Sequence, residues 1–280
     1  MDNAVEDFKK LEDIGDNKMK TISRMSRQGA IFVDFFTMVK RLETDGSKGI
    51  NFYDLWENKT QYSKKKFIQS LIAYYRKKGG NETEIQIWIR IFNLYFGAIN
   101  IFKPIVAMDI YYRFKPTSIL DMTMGWGGRL VGACALNVPY YTGIDLNKSL
   151  EKPYKDMVEV LNKYSTTKIT LMFKSALDVD YSKLKYDLVL TSPPYYNIEK
   201  YEGQPIMDKD KWDNDFYKPL FEKSWKYLQK GGHYCLNIPA EVYDRIAVKV
   251  MGRANQFIPM PKSKRTTGEK YKEFIYVWKK

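Results

Sequence analysis

Cysteine and histidine are scarce in this sequence. Its 280 residues include two cysteines and one histidine. Two cysteines are too few for a disulfide framework, and they cannot form a cysteine-based zinc site. Metal chemistry would have to rest on carboxylates alone, and we predict no metal site.

Long apolar runs and acidic residues are also in short supply. No stretch approaches the roughly 18 apolar residues that span a bilayer, and the acidic start MDNAVEDFKKLEDIGD has no apolar segment of the signal-peptide type. The chain carries 46 Lys and Arg against 33 Asp and Glu, a net charge of +13. We therefore expect an intracellular protein with no membrane partner, and a polyanion such as nucleic acid as its partner.

The sequence changes character near residue 100. Residues 1–100 have apolar positions at helical spacing, as in FVDFFTMVKRL, and IQIWIRIFNLYF predicts a buried helix over about 82–97 with Asn81 as its N-cap. Beyond about residue 116, short apolar runs such as SILDM, YYTGID and YDLVLTS alternate with helical stretches, which predicts an α/β fold with a mostly parallel sheet. The last run, EFIYVWKK, leaves little room for a crossover helix and is expected to be antiparallel.

A glycine-rich turn follows the first predicted strand. The strand SILD ends at Asp121 and continues as MTMGWGGRL, with Gly125 and Gly127 before a helical stretch. Glycines allow a sharp turn and let a ligand approach the bare backbone. No Gly-Lys-Ser/Thr follows, which disfavours an ATPase-type phosphate loop. The turn indicates a nucleotide pocket, with a tight turn that binds no ligand as the alternative.

Two later acids follow the next predicted strands. Asp145 lies 24 positions after Asp121 and is placed to accept hydrogen bonds from a ribose diol, or to cap a helix that starts near Asn147. Asp178 follows the third strand, where it could read an adenine edge or be an ordinary loop acid.

A proline pair ends the strand in YDLVLTSPPYY. Ser192 is followed by Pro193 and Pro194, which have fixed backbone angles and no N–H groups, and then by Tyr195. Carbonyl oxygens there can accept hydrogen bonds from a ligand, and the tyrosine ring offers a stacking surface for a planar base.

Together these motifs resemble those of the S-adenosylmethionine-dependent amino-methyltransferases of DNA, of the N4-cytosine and N6-adenine type. The segment TSPPY resembles motif IV, the glycine turn resembles motif I, and FKPIVAMDIYYRFKPTSILD resembles the Lys-Pro stretch before motif I. The resemblance covers roughly residues 102–280. It implies a Rossmann-like class I methyltransferase sheet, mostly parallel with an antiparallel last strand, in residues 101–280, preceded by a helical region over 1–100.

The resemblance also implies S-adenosyl-L-methionine as the cofactor. The residues it implies for binding are Lys103, Asp121, Met122, Gly125, Gly127, Asp145, Asp178 and Ser192. The turn would hold the methionine part, Asp145 the ribose and Asp178 the adenine. Lys103 would contact the cofactor carboxylate or simply begin a helix.

The catalytic residues that the resemblance implies are Ser192, Pro193, Pro194 and Tyr195. Ser192 and the Pro193 carbonyl would accept hydrogen bonds from the target amine, which frees the nitrogen lone pair, and Tyr195 would stack on the extruded base. Because Tyr196 follows directly, either ring could contact nucleic acid. The serine form slightly favours cytosine N4 over adenine N6. Cys134 and Cys235 follow no proline, so methylation of cytosine carbon-5 through a cysteine nucleophile is disfavoured.

Two basic stretches are candidates for nucleic-acid binding. Residues 59–78 carry seven Lys and Arg and no acid, and residues 245–280 carry ten against two acids. The predicted contacts are Lys64, Lys65, Lys66, Arg76, Lys77, Lys78, Lys262, Lys264 and Arg265. A solvated helix face is the alternative for 59–78.

Three functions stay open at this point. DNA amino-methylation is the first, the same chemistry on RNA or a protein glutamine is the second, and a non-catalytic nucleic-acid-binding subunit with a relic pocket is the third. The oligomeric state also stays open, with a homodimer and a complex with a partner subunit as the two possibilities.

Overall fold

A seven-stranded sheet forms the centre of the computed structural model, which describes residues 1–15, 19–46, 48–97, 99–196, 208–261 and 273–280. Its strand order is β3-β2-β1-β4-β5-β7-β6. The strands are β1 (Ser118–Asp121), β2 (Tyr140–Asp145), β3 (Lys168–Phe173), β4 (Leu188–Thr191), β5 (His233–Ile238), β6 (Gln256–Pro259) and β7 (Phe274–Lys279).

The direction of the strands follows the expected pattern. β1 to β5 pair in parallel, and every residue of β4 is buried, as expected for a strand covered by helices on both faces. β7 runs antiparallel to both β5 and β6, with Cys235 opposite Val277. The Rossmann-like class I methyltransferase sheet with an antiparallel last strand is therefore confirmed.

Helices flank the sheet and precede it. The first group is α1 (Asp2–Glu12), α2 (Ala30–Leu42), α3 (Phe52–Glu57), α4 (Lys59–Tyr62), α5 (Lys66–Gly79) and α6 (Glu84–Ile91). The second is α7 (Pro104–Phe114), α8 (Gly128–Ala135), α9 (Glu151–Leu161), α10 (Lys209–Lys211), α11 (Lys218–Tyr227), α12 (Ala240–Val242) and α13 (Val248–Met251). Short π-helices (Phe92–Gly97, Trp212–Tyr217, Tyr243–Ala247) follow α6, α10 and α12.

The first two helices belong to the core of the sheet. Phe8 of α1 and Phe32 of α2 are fully buried with ring centroids 5.1 Å apart, in the same hydrophobic cluster as β1 and α8. The buried Asp7 carboxylate accepts hydrogen bonds from the backbone N–H groups of Ile31 and Phe32, at 2.8 and 3.2 Å. These bonds fix the start of α2, whose own N-cap is a glycine and supplies no side chain.

A separate small cluster holds the helices that follow. It joins α3, α5, α6 and the π-helix Phe92–Gly97 through Phe52, Ile68, Trp88 and Phe92. The helical region expected over 1–100 is thus divided between two clusters.

The helix expected over 82–97 is correct in type and wrong in detail. It begins at Glu84, because Thr83 and Gln86 rather than Asn81 form a capping box, and it continues as the π-helix from Phe92. It is not buried all round, since Leu94 is 62% exposed. No helix in the described parts of the chain has the length and apolar character needed to cross a membrane.

Candidate active site

The ends of β1 and β4 are tied together by hydroxyl groups. The Oγ1 atoms of Thr123 and Thr191 lie 2.7 Å apart, and Thr191 Oγ1 also donates a hydrogen bond to Asp121 Oδ1 at 3.1 Å. The strand order reverses between β1 and β4, and ligands of open α/β sheets bind at such a switch point. The glycine turn and the Ser-Pro-Pro corner therefore lie side by side.

Asp121 lies beneath this junction. It is fully buried, and its Oδ2 accepts hydrogen bonds from Arg129 Nε at 2.7 Å and from the Tyr141 hydroxyl at 2.8 Å. Burial lowers the pKa of Arg129, but the Asp121 carboxylate more than offsets this and raises it above its usual value. Both oxygens of Asp121 are thus engaged by the protein, and Met122 and Thr123 line the cavity above it.

A cavity of about 340 Å³ opens at the switch point. It is lined by residues at or just after the ends of four strands, β1 to β4, and by the segment after α10. The lining residues are Met122, Thr123, Gly125, Trp126, Asp145, Leu146, Asn147, Leu150, Ser175, Ala176, Leu177, Ser192, Pro194, Trp212, Asp215 and Phe216. Four residues of the predicted cofactor set (Met122, Gly125, Asp145, Ser192) are brought together here.

The glycine turn requires its glycines for two different reasons. Gly125 has a φ of +56°, and its N–H donates to Asp145 Oδ2 at 2.8 Å. Gly127 has a φ of +97° and begins α8, where a Cβ atom would lie 2.9 Å from Met157 Cε. Gly125 thus lines the cavity, whereas Gly127 allows α9 to pack closely against the turn.

Asp145 is held by the backbone at the cavity wall. Its Oδ1 accepts a hydrogen bond from the Asn147 N–H at 2.9 Å, and its Oδ2 accepts the bond from Gly125. Burial raises the pKa of Asp145 to about 6, although the two N–H donors oppose the rise. The cap of the following short helix is Asn147, which accepts from the Ser149 N–H at 2.9 Å.

The Ser-Pro-Pro corner is fixed from outside the cavity. The Tyr217 hydroxyl donates to the Pro194 carbonyl and accepts from the Tyr196 N–H at 3.0 Å. In the described part of the chain the Pro193 carbonyl accepts no hydrogen bond. One carbonyl of the pair is thus used by the protein and the other is not; Pro193 itself is buried and is not among the residues that line the cavity.

Tyr195 is anchored by residues that the sequence analysis missed. Its hydroxyl donates to Asn237 Oδ1 at 3.0 Å and lies 3.2 Å from Glu273 Oε1. Asn237 is the last residue but one of β5, and its Oδ1 also accepts a hydrogen bond from Ser192 Oγ at 3.3 Å. The network joins the predicted catalytic residues to β5 and to the start of β7. The two ends of this network are far apart in the sequence, so no local pattern marks it.

Tyr196 lies in the protein interior, in contrast to the expected contact with nucleic acid. It is 6% exposed, and its hydroxyl donates to Asp213 Oδ1 at 3.1 Å. Its φ is +53°, and its ring packs edge-on against that of Tyr217. Tyr195 is the half-exposed ring of the pair.

Lys103 and Asp178 lie outside the lining of the cavity. Lys103 precedes α7, and its Nζ donates to the Met25 carbonyl at 3.0 Å beside a different cavity. Asp178 is exposed at the end of the short helix Ala176–Asp178, whose first two residues line the site.

The π-helix Trp212–Tyr217 supplies lining residues that were not predicted. Trp212, Asp215 and Phe216 contribute to the cavity, while Asp213 and Tyr217 hold the corner. Short π-helices are frequent at functional sites, but the residue spacing in WDNDFY does not predict one.

No protein-family model matches the sequence, and no curated protein matches it. Solved structures with a similar fold include TrmN from Thermus thermophilus, at 16% identity and a TM-score of 0.44 over 63% of this chain and 48% of that one. An rRNA methylase from Streptococcus thermophilus is 14% identical, with a TM-score of 0.41 over 64% of this chain and 98% of that one. An S-adenosylmethionine-dependent methyltransferase from Clostridium acetobutylicum is 14% identical, with a TM-score of 0.39 over 64% and 65%. The chain spans about half the length of TrmN, and similarity at this level carries no information on substrate or reaction.

The predicted basic contacts fall into two groups. Lys64, Lys65, Lys66, Arg76, Lys77 and Lys78 are all exposed on and just before α5. Within the described ranges none of these six side chains forms an ion pair. Lys262, Lys264 and Arg265 lie outside the described residues.

Both cysteines are unsuited to nucleophilic attack. Cys134 and Cys235 are fully buried, and burial raises the pKa of Cys134 to about 12. The thiolate forms are therefore strongly disfavoured. In the described parts of the chain no three His, Cys, Asp or Glu side chains cluster as a metal site would require.

Proposed function

We propose that this chain transfers a methyl group from S-adenosyl-L-methionine to an exocyclic amino group of a base in DNA, with cytosine N4 slightly favoured over adenine N6. One observation carries the proposal: the Ser192 and Pro194 corner and the Gly125 and Asp145 wall border the same cavity. A methyl donor and an amine acceptor would therefore meet there.

The cavity suits the proposed cofactor in size and chemistry. Its volume of about 340 Å³ falls in the usual range for small-molecule sites. Asp145 would accept hydrogen bonds from the ribose diol, Leu146 and Leu177 would flank the adenine ring, and Asp178 would face its amino group. The backbone from Met122 to Gly125 would hold the methionine part. When bound, the cofactor supplies a methyl group on a positively charged sulfur.

The corner residues account for activation of the amine. An exocyclic amine is conjugated with its ring and is a poor nucleophile. Ser192 Oγ and the Pro193 carbonyl would accept hydrogen bonds from its two N–H groups, which favours a more tetrahedral nitrogen and directs the lone pair toward the methyl group. The Tyr195 ring, fixed by Asn237, would support the base. Positioning and electrostatics then carry the catalysis, with no covalent intermediate on the protein.

The charge of the chain supports a nucleic-acid substrate. The net charge is +13, and six exposed cations that form no ion pair with any described residue lie on and just before α5. Such residues provide sequence-independent contacts to phosphates. RNA is the alternative substrate, and a protein glutamine fits this charge less well.

The test is to incubate the chain with labelled cofactor and with DNA or RNA separately, digest each to nucleosides, and identify the methylated one by mass. We expect label in a DNA amino group, and about a 10²-fold lower rate for Ser192→Ala with cofactor affinity retained. Ser182→Ala, in an exposed turn, serves as the matched control. Label found only in RNA would show that RNA, not DNA, is the substrate. Cofactor binding without any labelled nucleoside would refute the proposal.

A further inference from the structure

A second cavity, of about 270 Å³, is lined in part by α2. Its walls come from α2 and the residue Arg27 before it, from the junction of α6 with its π-helix, and from the segment that leads into α7. Thr37 of α2 donates from Oγ1 to the Trp126 carbonyl at 3.3 Å, and Trp126 lines the first cavity. The helix α2 therefore contributes to the second cavity and is hydrogen-bonded to a residue that lines the first.

The charges that line this second cavity are unbalanced. Arg27, Arg41 and Lys103 contribute three positive charges, and Asp34 contributes the single negative one. Arg41 pairs with Asp34 through Nη2. Neither Arg27 nor Lys103 forms an ion pair in the described part of the chain, although the charge of Arg27 acts on Asp34 and opposes the rise in its pKa that burial causes. Two positive charges are left over in a concave and partly buried space.

The hydrogen-bonding capacity of the cavity is also incompletely used. Arg41 Nε is buried and has no hydrogen-bond partner among the described residues. Burial lowers the pKa of Lys103, and the positive charge of Arg27 lowers it further, so the two cationic groups lie close enough to repel each other. An anion between them would relieve that repulsion and supply the missing acceptor.

We propose that this cavity is a binding site for an oxyanion of the phosphate class. Guanidinium groups match the geometry of phosphate oxygens, and a lysine adds a point charge. Arg27 is exposed at the rim, whereas Arg41 lies deeper, so an anion could enter past the first and reach the second. A backbone phosphate of bound nucleic acid and a free phosphate are two sources of the same chemistry.

The test uses the intact chain and inorganic phosphate as the probe, titrated by calorimetry at constant ionic strength. We expect saturable binding that Arg27→Gln and Lys103→Gln each weaken at least tenfold, while Lys230→Gln, an exposed lysine before β5, leaves it unchanged. Absence of binding to the unmodified chain, or equal binding by all variants, would overturn the proposal. A thermal melt of each variant verifies folding.

A second arm distinguishes the two sources. For a backbone phosphate, Arg27→Gln weakens binding of a short oligonucleotide at least fivefold, and inorganic phosphate competes with the oligonucleotide. For a free phosphate, the same variant loses phosphate binding but keeps the oligonucleotide affinity. Cofactor affinity, measured in parallel, should not change in either case, so this proposal and methyl transfer can fail independently.

Discussion

The hydroxyl group of Tyr217 donates a hydrogen bond to the carbonyl oxygen of Pro194. The same hydroxyl accepts from the Tyr196 N–H at 3.0 Å, so one side chain of the π-helix Trp212–Tyr217 holds both sides of the corner. This leaves the Pro193 carbonyl as the acceptor that points to no described partner. The catalytic geometry that we propose therefore depends on a residue outside the proline motif.

Tyr217→Phe should loosen this corner while keeping the buried ring. The Pro194 carbonyl and the Tyr196 N–H would both lose their partner, which costs about 1–3 kcal/mol. We expect the methyl-transfer rate to fall about tenfold or more and the cofactor affinity to change less than twofold. Single-turnover kinetics and calorimetry measure the two. Tyr227→Phe, at an exposed tyrosine, is the control. Unchanged kinetics in Tyr217→Phe would mean that the corner holds its shape without this bond.

Cofactor affinity should depend on pH through Asp145. Burial raises the pKa of this carboxyl group to about 6 from 3.8, and only the ionised form offers acceptors on both oxygens to a ribose diol. Affinity should therefore be constant above about pH 6 and fall about tenfold for each pH unit below it. Asp145→Asn should bind more weakly, with no change over the same range. A pH series of calorimetric titrations checks this, and an equally steep pH dependence in the Asn variant would assign the titration to another group.

Arg129→Met should destabilise the fold by removing the partner of a buried charge. Asp121 is fully buried, and its Oδ2 would lose the Arg129 donor that lies 2.7 Å away. Breaking such a pair costs about 3–5 kcal/mol in the free energy of unfolding, as measured with urea. The double variant Asp121→Asn with Arg129→Met should recover part of the loss. Arg76→Met, at an exposed arginine with no ion pair among the residues that the structure describes, should stay within about 0.5 kcal/mol of the unmodified chain.

The basic residues before and at the start of α5 should contribute to nucleic-acid affinity through phosphates. Changing Lys64, Lys65 and Lys66 together to Gln should weaken binding at low salt. It should also reduce the slope of log affinity against log salt by up to about 3, or roughly 0.9 per phosphate contact. The control changes Lys152, Lys155 and Lys163 to Gln, since these residues of α9 and its C-terminal end are exposed and ion-paired with acids. An unaltered slope in the first variant would mean that these three lysines are solvated and do not contact phosphates.

Local patterns in the sequence were sufficient to predict the sheet. Short buried runs, turn residues and the missing crossover before EFIYVW indicated the parallel strands and the antiparallel last strand, and the fold is confirmed. Gly125, Asp145 and Ser192 could be placed at one site because the carboxyl ends of parallel strands lie at one edge.

Features that depend on contacts between distant residues could not be predicted. The choice between Tyr195 and Tyr196 depends on a positive φ and on Tyr217, neither of which a sequence pattern reveals. Asp121 resembles a ligand-facing acid until Arg129, Tyr141 and Thr191 are seen to occupy its oxygens. The sequence suggested that Lys103 binds the cofactor carboxylate. The structure instead places Lys103 in the lining of a second cavity together with Arg27, which suggests a different ligand.

The burial of Phe8 and Phe32 against the sheet has a practical consequence for dissecting this protein. A chain cut near residue 80 would strip these rings from the cluster that also contains Ile105 and Leu130. Loss of nucleic-acid affinity after such a truncation would report a damaged interior rather than a missing contact surface. The helices of the first 42 residues therefore cannot be removed without disturbing the core. Their contribution to nucleic-acid affinity can be measured only by point substitution in the full chain.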